Sequence, residues 1–289
     1  MTLFRTCTGL ILTAFFMTGS IAARGETQNG GIQKLGKGTI NTYADLGADG
    51  KPIAIGITFT RQALEGLPAK KSKTGRCFDM DKDGRINPAS ECEGDYELRL
   101  TMPDKLSGRS DIPFKWIGFN WNPEGHVPPK IYDLPHFDMH FYMVPQKEID
   151  SIRVGPCKLF INCDDRKRAL VPVKPKYVHA DHISVGATVS MMGNHLVNVK
   201  SQEFGKTPET KKKFTHTWIF GAYDGKITFY EPMITREYLL RKPNGCFNIK
   251  GPKAWQKTGY YPTRYCIRYH AGSDKYTVSF EGLVLRSAE

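Results

Sequence analysis

The chain has no nucleophile elbow, no phosphate loop and no dinucleotide fingerprint. Those absences exclude the usual routes to serine acyl transfer, nucleotide hydrolysis and nicotinamide-dependent hydride transfer. No two cysteines have the Cys-x-x-Cys spacing that structural zinc sites favour. No recognised nucleic-acid motif accompanies the basic residues. Sustained helical period is scarce, and there is no internal repeat and no long low-complexity linker. After the N-terminal segment, no run is apolar enough to span a bilayer, so no transmembrane segment is expected.

What is present begins with the N-terminus. Arg5 is the one charge in the first 23 residues, Leu10 to Met17 is largely apolar, and Ser20, Ala22 and Ala23 follow. This is the layout of a secretory signal peptide over residues 1–23, and it predicts a periplasmic or secreted mature chain. The apolar stretch is too short for a membrane helix, which needs about 20 residues. With Cys7 discarded, six cysteines remain in an oxidising compartment. Nearest-neighbour pairing is expected, Cys77 with Cys92, Cys157 with Cys163 and Cys246 with Cys266.

The net charge of +12 is concentrated in short clusters, Lys70 to Lys73, Lys174 to Lys176 and Lys211 to Lys213. Such a surface can contact polyanions or can be a solvated face, and with an exported location nucleic acid is not expected as a partner. Oligomeric state is not legible.

Short strands punctuated by turn residues predict a mainly β fold, an antiparallel sandwich or barrel with a few short helices, in a single domain over 24–289. Strands are expected at Gly38 to Asp45, Pro52 to Phe59, Tyr96 to Met102 and Pro113 to Trp121, with extended character from Val185 to Val199. Phe214 to Tyr223 and Lys226 to Met233 form the clearest hairpin, around Asp224-Gly225, and Tyr265 to Tyr269 with Lys275 to Leu285 another. Short helices are expected at 61–66 and 146–152, and a loop-rich insert at 67–95.

That insert carries Asp79-Met80-Asp81-Lys82-Asp83-Gly84-Arg85-Ile86-Asn87, which resembles the first nine positions of an EF-hand loop. Calcium needs six to eight oxygens, and alternate carboxylates before a Gly turn supply them. Position twelve is Ser90 where the EF-hand has Glu, so closure falls to Glu91, Glu93 or Asp95, and no flanking helices are evident. The predicted calcium ligands are Asp79, Asp81, Asp83, Arg85, Asn87 and Glu91, pinned by a Cys77–Cys92 bond. The alternative is an acidic solvated turn.

The densest chemistry lies in Pro135-His136-Phe137-Asp138-Met139-His140-Phe141-Tyr142. On a strand, His136, Asp138, His140 and Tyr142 share one face while Phe137, Met139 and Phe141 share the other. Glu231 and His195 fall in phase with apolar neighbours on their own strands, where a carboxylate or imidazole must be paired, protonated or metal-bound. One transition-metal site of His136, His140, His195 and Glu231 is therefore predicted, for zinc, iron, manganese or copper. Asp138 would orient a ligand or act as base, and His126 would be a mobile ligand or proton carrier. Met139, Met143, Met191 and Met192 keep copper among the candidates. An ordinary hydrogen-bonded cluster is the alternative.

Gly125-His126, the 135–142 run, Met192-Gly193-Asn194-His195, and Tyr223-Asp224-Gly225 leading to Phe229-Tyr230-Glu231-Pro232-Met233-Ile234-Thr235 together resemble a family of exported bacterial proteins of unknown function with HFDxHFY and EPMIT signatures. The resemblance implies a mostly β fold and an export signal, and no settled activity. Two function classes remain: an exported metal-dependent enzyme, hydrolase or cupin-like oxidoreductase, and a non-catalytic envelope protein that binds polyanionic material through its basic clusters.

Overall fold

A computed structural model describes residues 24–289; the signal-peptide segment and Cys7 lie outside the described residues. In chain order the strands are β1 (Arg24–Asn29), β2 (Gln33–Leu35), β3 (Gly38–Gly47), β4 (Pro52–Thr60), β5 (Tyr96–Thr101), β6 (Trp116–Asn122), β7 (His136–Tyr142) and β8 (Val154–Cys157). They continue as β9 (His182–Val189), β10 (Gly193–Asn198), β11 (His216–Tyr223), β12 (Lys226–Thr235), β13 (Asn244–Asn248), β14 (Gly259–Tyr261), β15 (Arg264–His270), β16 (Lys275–Glu281) and β17 (Val284–Arg286). Four short α-helices are α1 (Pro88–Glu91), α2 (Gln146–Asp150), α3 (Cys163–Ala169) and α4 (Arg236–Leu240).

Among the described residues two seven-stranded antiparallel sheets form, beside a small β14–β17 pair. One runs β1-β3-β4-β16-β15-β13, with β2 paired to β3, and the other β5-β6-β7-β12-β11-β10-β9. The first sheet draws on both ends of the chain and the second on its middle. Neither closes on itself, so of the two expected architectures the sandwich is the one found. The core between the sheets is aromatic: Phe141 of β7 stacks on Phe280 of β16 at 3.8 Å between ring centroids, and Trp218 of β11 meets Phe280 edge-on at 5.2 Å. Buried aromatics supply large apolar area for few rotatable bonds, which suits a core spanning two sheets.

The β11–β12 hairpin turns on Asp224 and Gly225, both with positive φ (52° and 71°), as a two-residue loop between twisted strands requires. Within the same hairpin the pairing slips at Gly221–Ala222, and an added Cβ at Gly221 would lie 2.0 Å from the Phe229 ring. Only glycine leaves room for that ring.

Several elements differ from the sequence expectation. Residues 185–199 are a hairpin rather than one extended run: β9 and β10 reverse through Met191 and Gly193, both with positive φ. The 61–66 helix is a 3-10 turn over Arg61–Leu64. Helix α3 was not anticipated; Asn162 caps it by accepting hydrogen bonds from the backbone N–H groups of Asp164 and Asp165. The strand expected from Pro113 begins at Trp116. All three nearest-neighbour disulfides are present. Among the described residues no helix is long and apolar enough to cross a membrane.

Candidate metal centre

Strand β7 is buried on both faces. Phe137, Met139 and Phe141 enter the core between the sheets, so alternation sends His136, Asp138 and His140 to the opposite face of the sheet. Segments from the 72–95 insert, the 124–134 loop and the β9–β10 hairpin close over that face around a cavity of about 50 Å³. It is lined by His126, Asp138, His195, Glu93 and apolar side chains such as Met192 and Val197.

Two triads of two imidazoles and one carboxylate result. In the first, the Nδ1–H of His126 donates to the Val127 carbonyl at 2.7 Å and the Nδ1–H of His136 to the Leu134 carbonyl at 2.6 Å. Those bonds turn both Nε2 atoms inward, the orientation that metal-bound histidines generally show. The two Nε2 atoms lie 3.0 Å apart. Asp138 completes the group, with Oδ2 3.1 Å from His126 Nε2 and Oδ1 3.1 Å from His136 Nε2. Asn122, opposite His136 across β6–β7, donates to Asp138 Oδ2 at 2.7 Å and fixes the carboxylate. Asp138 Oδ1 is buried and has no partner of hydrogen-bond geometry among the described residues.

In the second triad, Glu231 Oε1 is 3.5 Å from His140 Nε2 and Oε2 is 3.9 Å from His195 Nε2. The Nδ1–H of His195 donates to the Ala187 carbonyl at 3.1 Å. Both nitrogens of His140, and Glu231 Oε2, are buried without a partner among the described residues. Phe229 packs edge-on against both imidazoles, at 4.8 Å from His140 and 5.3 Å from His195.

The protonation states follow from burial and neighbours. Burial would raise the Asp138 carboxyl, but the His136 and His126 imidazoles beside it hold it well below the ordinary range. Burial pulls His126 down, and Asp138 outweighs it, leaving His126 above its usual value. Burial, opposed by Asp138, takes His140 down to about 4, and burial with the neighbouring His140 takes His195 to about 3. Glu231 is pushed well up by burial and then by Asp138. At neutral pH the His140 and His195 imidazoles are therefore uncharged, the form in which histidine ligates metals.

The four residues expected to form one site do not converge on one point. His140, His195 and Glu231 come together, but His136 belongs with His126 and Asp138. On a strand, residues four apart lie about 13 Å from each other, too far for His136 and His140 to share an ion with side chains standing parallel. His126 and Asp138, expected to act as a proton carrier and an orienting group, stand as members of a triad. The expected calcium residues also divide. Asp79, Asp81 and Glu91 place ligand atoms within 4.8 Å of one another, while the Asp83 carboxylate is not in that group. Asn87 instead caps α1, accepting from the Ala89 N–H.

Three neighbours of the site had no clear signal. Arg76 is buried and paired with Asp95 and Glu97, and Asn120 donates to Asp95. Glu93 lines the cavity, and burial, opposed by Arg76, raises its carboxyl to about 7. The sequence placed Glu93 and Asp95 with the calcium loop, and Arg76, just before the six carboxylates from Asp79 to Asp95, carried nothing to set it apart from Lys82 and Arg85.

The Cys246, Cys266 and Glu281 group has no free thiolate to offer, because its cysteines are disulfide-bonded. Compared with curated proteins and with solved structures, the chain matches none. Residues 47–110 match the family model TTHB210-like, described as hypothetical protein TTHB210, a stretch that holds the acidic loop, Arg76 and Glu93 and ends before either triad begins.

Proposed function

We propose that the protein is an exported metal-dependent enzyme, an oxidoreductase by preference over a hydrolase, with a divalent transition metal held by His126, His136 and Asp138. The observation that supports it most is that the two Nε2 atoms, each turned inward by its Nδ1 bond, stand 3.0 Å apart with an Asp138 oxygen 3.1 Å from each, Oδ2 toward His126 and Oδ1 toward His136. Bare imidazole nitrogens repel one another and a carboxylate at that range unless a proton or a metal lies between them. Neighbouring ligands at about 2.1 Å from an octahedral ion sit roughly 3.0 Å apart, whereas tetrahedral ligands sit about 3.3–3.4 Å apart. The spacing favours the facial triad of non-haem iron or manganese, which leaves positions open for other molecules.

An ion here would supply Lewis-acid and one-electron chemistry at those open positions. The chain's own part is to fix the ligands through Val127, Leu134 and Asn122, and to exclude bulk water with the apolar cavity wall. The small cavity suits a compact, largely apolar partner beside the ion. Glu93, with its pKa near 7, is placed to take or give a proton at the cavity. The three disulfides accord with an oxidising compartment. A calcium ion in the acidic loop is the structural complement. Gly84 N–H donates to Asp79 and Asp83 N–H to Asp81, while Glu91 accepts from Met80 and Asn87, so the carboxylates are already gathered.

The test is to load chelator-stripped protein anaerobically with iron(II) and add nitric oxide. One half-integer-spin iron–nitrosyl signal per chain is expected, lost in His136→Ala. A stripped chain that retains no iron through gel filtration would overturn the reading.

A further inference from the structure

We infer that the chain binds a second transition-metal ion, in the triad His140, His195 and Glu231, separate from the ion assigned to His126, His136 and Asp138. The inference stands on different residues from the proposed function and does not depend on it.

The first observation is the set of buried atoms with nothing to do. His140 is fully buried and neither of its ring nitrogens meets a partner among the described residues, and Glu231, equally buried, leaves Oε2 without one. Isolated buried polar atoms of this kind cost free energy with no return. Here His140 Nε2 faces Glu231 Oε1 and the unpartnered Glu231 Oε2 faces His195 Nε2, and among the described residues no lysine or arginine pairs with the group.

Spacing separates the two explanations that remain. A proton shared between Glu231 and an imidazole would draw oxygen and nitrogen to about 2.7–3.0 Å. The observed gaps are 3.5 and 3.9 Å. An ion in tetrahedral coordination, with bonds near 2.0–2.1 Å, holds its ligands about 3.3–3.4 Å apart. The triad needs to contract by only a few tenths of an ångström to take an ion, and by more to share a proton.

Orientation agrees. The Ala187 carbonyl takes the His195 Nδ1 proton and so points Nε2 at Glu231. Tyr142 stacks on His140 with the ring planes 18° apart, and Phe229 fills the space behind both imidazoles. The rings are thus held in the plane a ligand needs before any ion arrives. His195 also lines the cavity, so the fourth position of a tetrahedral ion opens to it. The wider spacing selects a four-coordinate, zinc-like ion, in contrast to the first triad. Asp138 and His140 are two residues apart on one strand face, about 7 Å, so the two ions share the cavity without a single bridging oxygen, which needs roughly 3.5–4 Å.

The experiment uses the mature protein, stripped with chelator, held in millimolar calcium to occupy the acidic loop, and loaded with excess zinc or cobalt(II). Metal per chain is measured after gel filtration, and cobalt is followed by its visible absorption. Two ions per chain are expected for the wild type, and one in Glu231→Gln and in His195→Ala. The intense absorption of four-coordinate cobalt should persist in His136→Ala and vanish in Glu231→Gln. One ion in the wild type, lost on His136→Ala and kept on Glu231→Gln, overturns this inference and leaves the proposed function. The reverse pattern overturns the proposed function and supports the second site. Should Glu231→Gln lose its near-ultraviolet circular dichroism, the wild-type stoichiometry and the partly accessible His195→Ala decide.

Discussion

Asp138→Asn is the substitution that separates a ligand from a group that merely orients one. The side chain keeps its shape and loses its charge. An orienting neighbour typically costs 10–100-fold in metal affinity, about 1.4–2.7 kcal/mol. Removing a charged member from a buried charged group costs about 3–5 kcal/mol, or roughly 150- to 5,000-fold. The position of Asp138, 3.1 Å from both Nε2 atoms with Oδ1 unpartnered, assigns it to the second class. Asn122 adds a further cost, because its amide donates to the lost carboxylate and would face an amide that can turn either way. The variant should therefore bind iron(II) or manganese(II) at least a hundredfold more weakly, read by competition against a chromophoric chelator, with the fold retained by circular dichroism. In the metal-free protein, burial pulls His126 down and Asp138 outweighs it, so the variant's His126 should titrate lower by NMR. An Asp138→Asn protein within tenfold of the wild type, beside a His136→Ala protein that binds nothing, would refute the assignment of Asp138 as a ligand.

Other outcomes follow from the same structure. Calcium should raise the melting temperature of stripped protein, by about 2.7 kcal/mol at a hundred times Kd and hence roughly 5–10 °C, and Asp79→Asn should abolish the rise; a midpoint flat across millimolar calcium counts against the loop. Burial takes His182, which bonds only the Trp218 carbonyl, down to about 4. A depressed imidazole stabilises the fold fully above its ordinary 6.5, and that contribution is lost as pH falls through 4; it is at most about 3 kcal/mol. Urea midpoints from pH 7 to 4 should fall less steeply in His182→Phe, and equal slopes would exclude this group as the cause. Gly221→Ala puts a Cβ 2.0 Å from the Phe229 ring, which backs His140 and His195. It should cost about 1–3 kcal/mol by denaturation and weaken the cobalt signal of the second triad; an unchanged melting curve would show that the ring moves freely.

Much of the architecture was legible because it is local. Alternation in 136–142 declared a strand, Asp224-Gly225 declared a two-residue turn, and the cysteine spacings declared three pairs, each depending on residues a few places apart. The candidate site was half legible for the same reason. A histidine or carboxylate out of keeping with its apolar neighbours marked His136, His140, His195 and Glu231 without any knowledge of the partner strand.

Which of them meet was not local. Strand order β7-β12-β11-β10 sets Glu231 and His195 beside His140, and the reversal of 185–199 into a hairpin was needed to bring His195 there. His126 reached the first triad because its loop folds back over β7, the His126 N–H bonding to the Tyr132 carbonyl. Glu93 and Asp95 were read as part of an acidic loop, and the fold carried them, with Arg76, over the cavity instead. The sequence by itself determined residue types, periodicity and turns, since these act over a few bonds. The grouping into two triads was decided by the tertiary structure, because donor atoms as distant in sequence as those of His140 and Glu231 acquire a spacing only when sheet pairing and burial fix their backbones together.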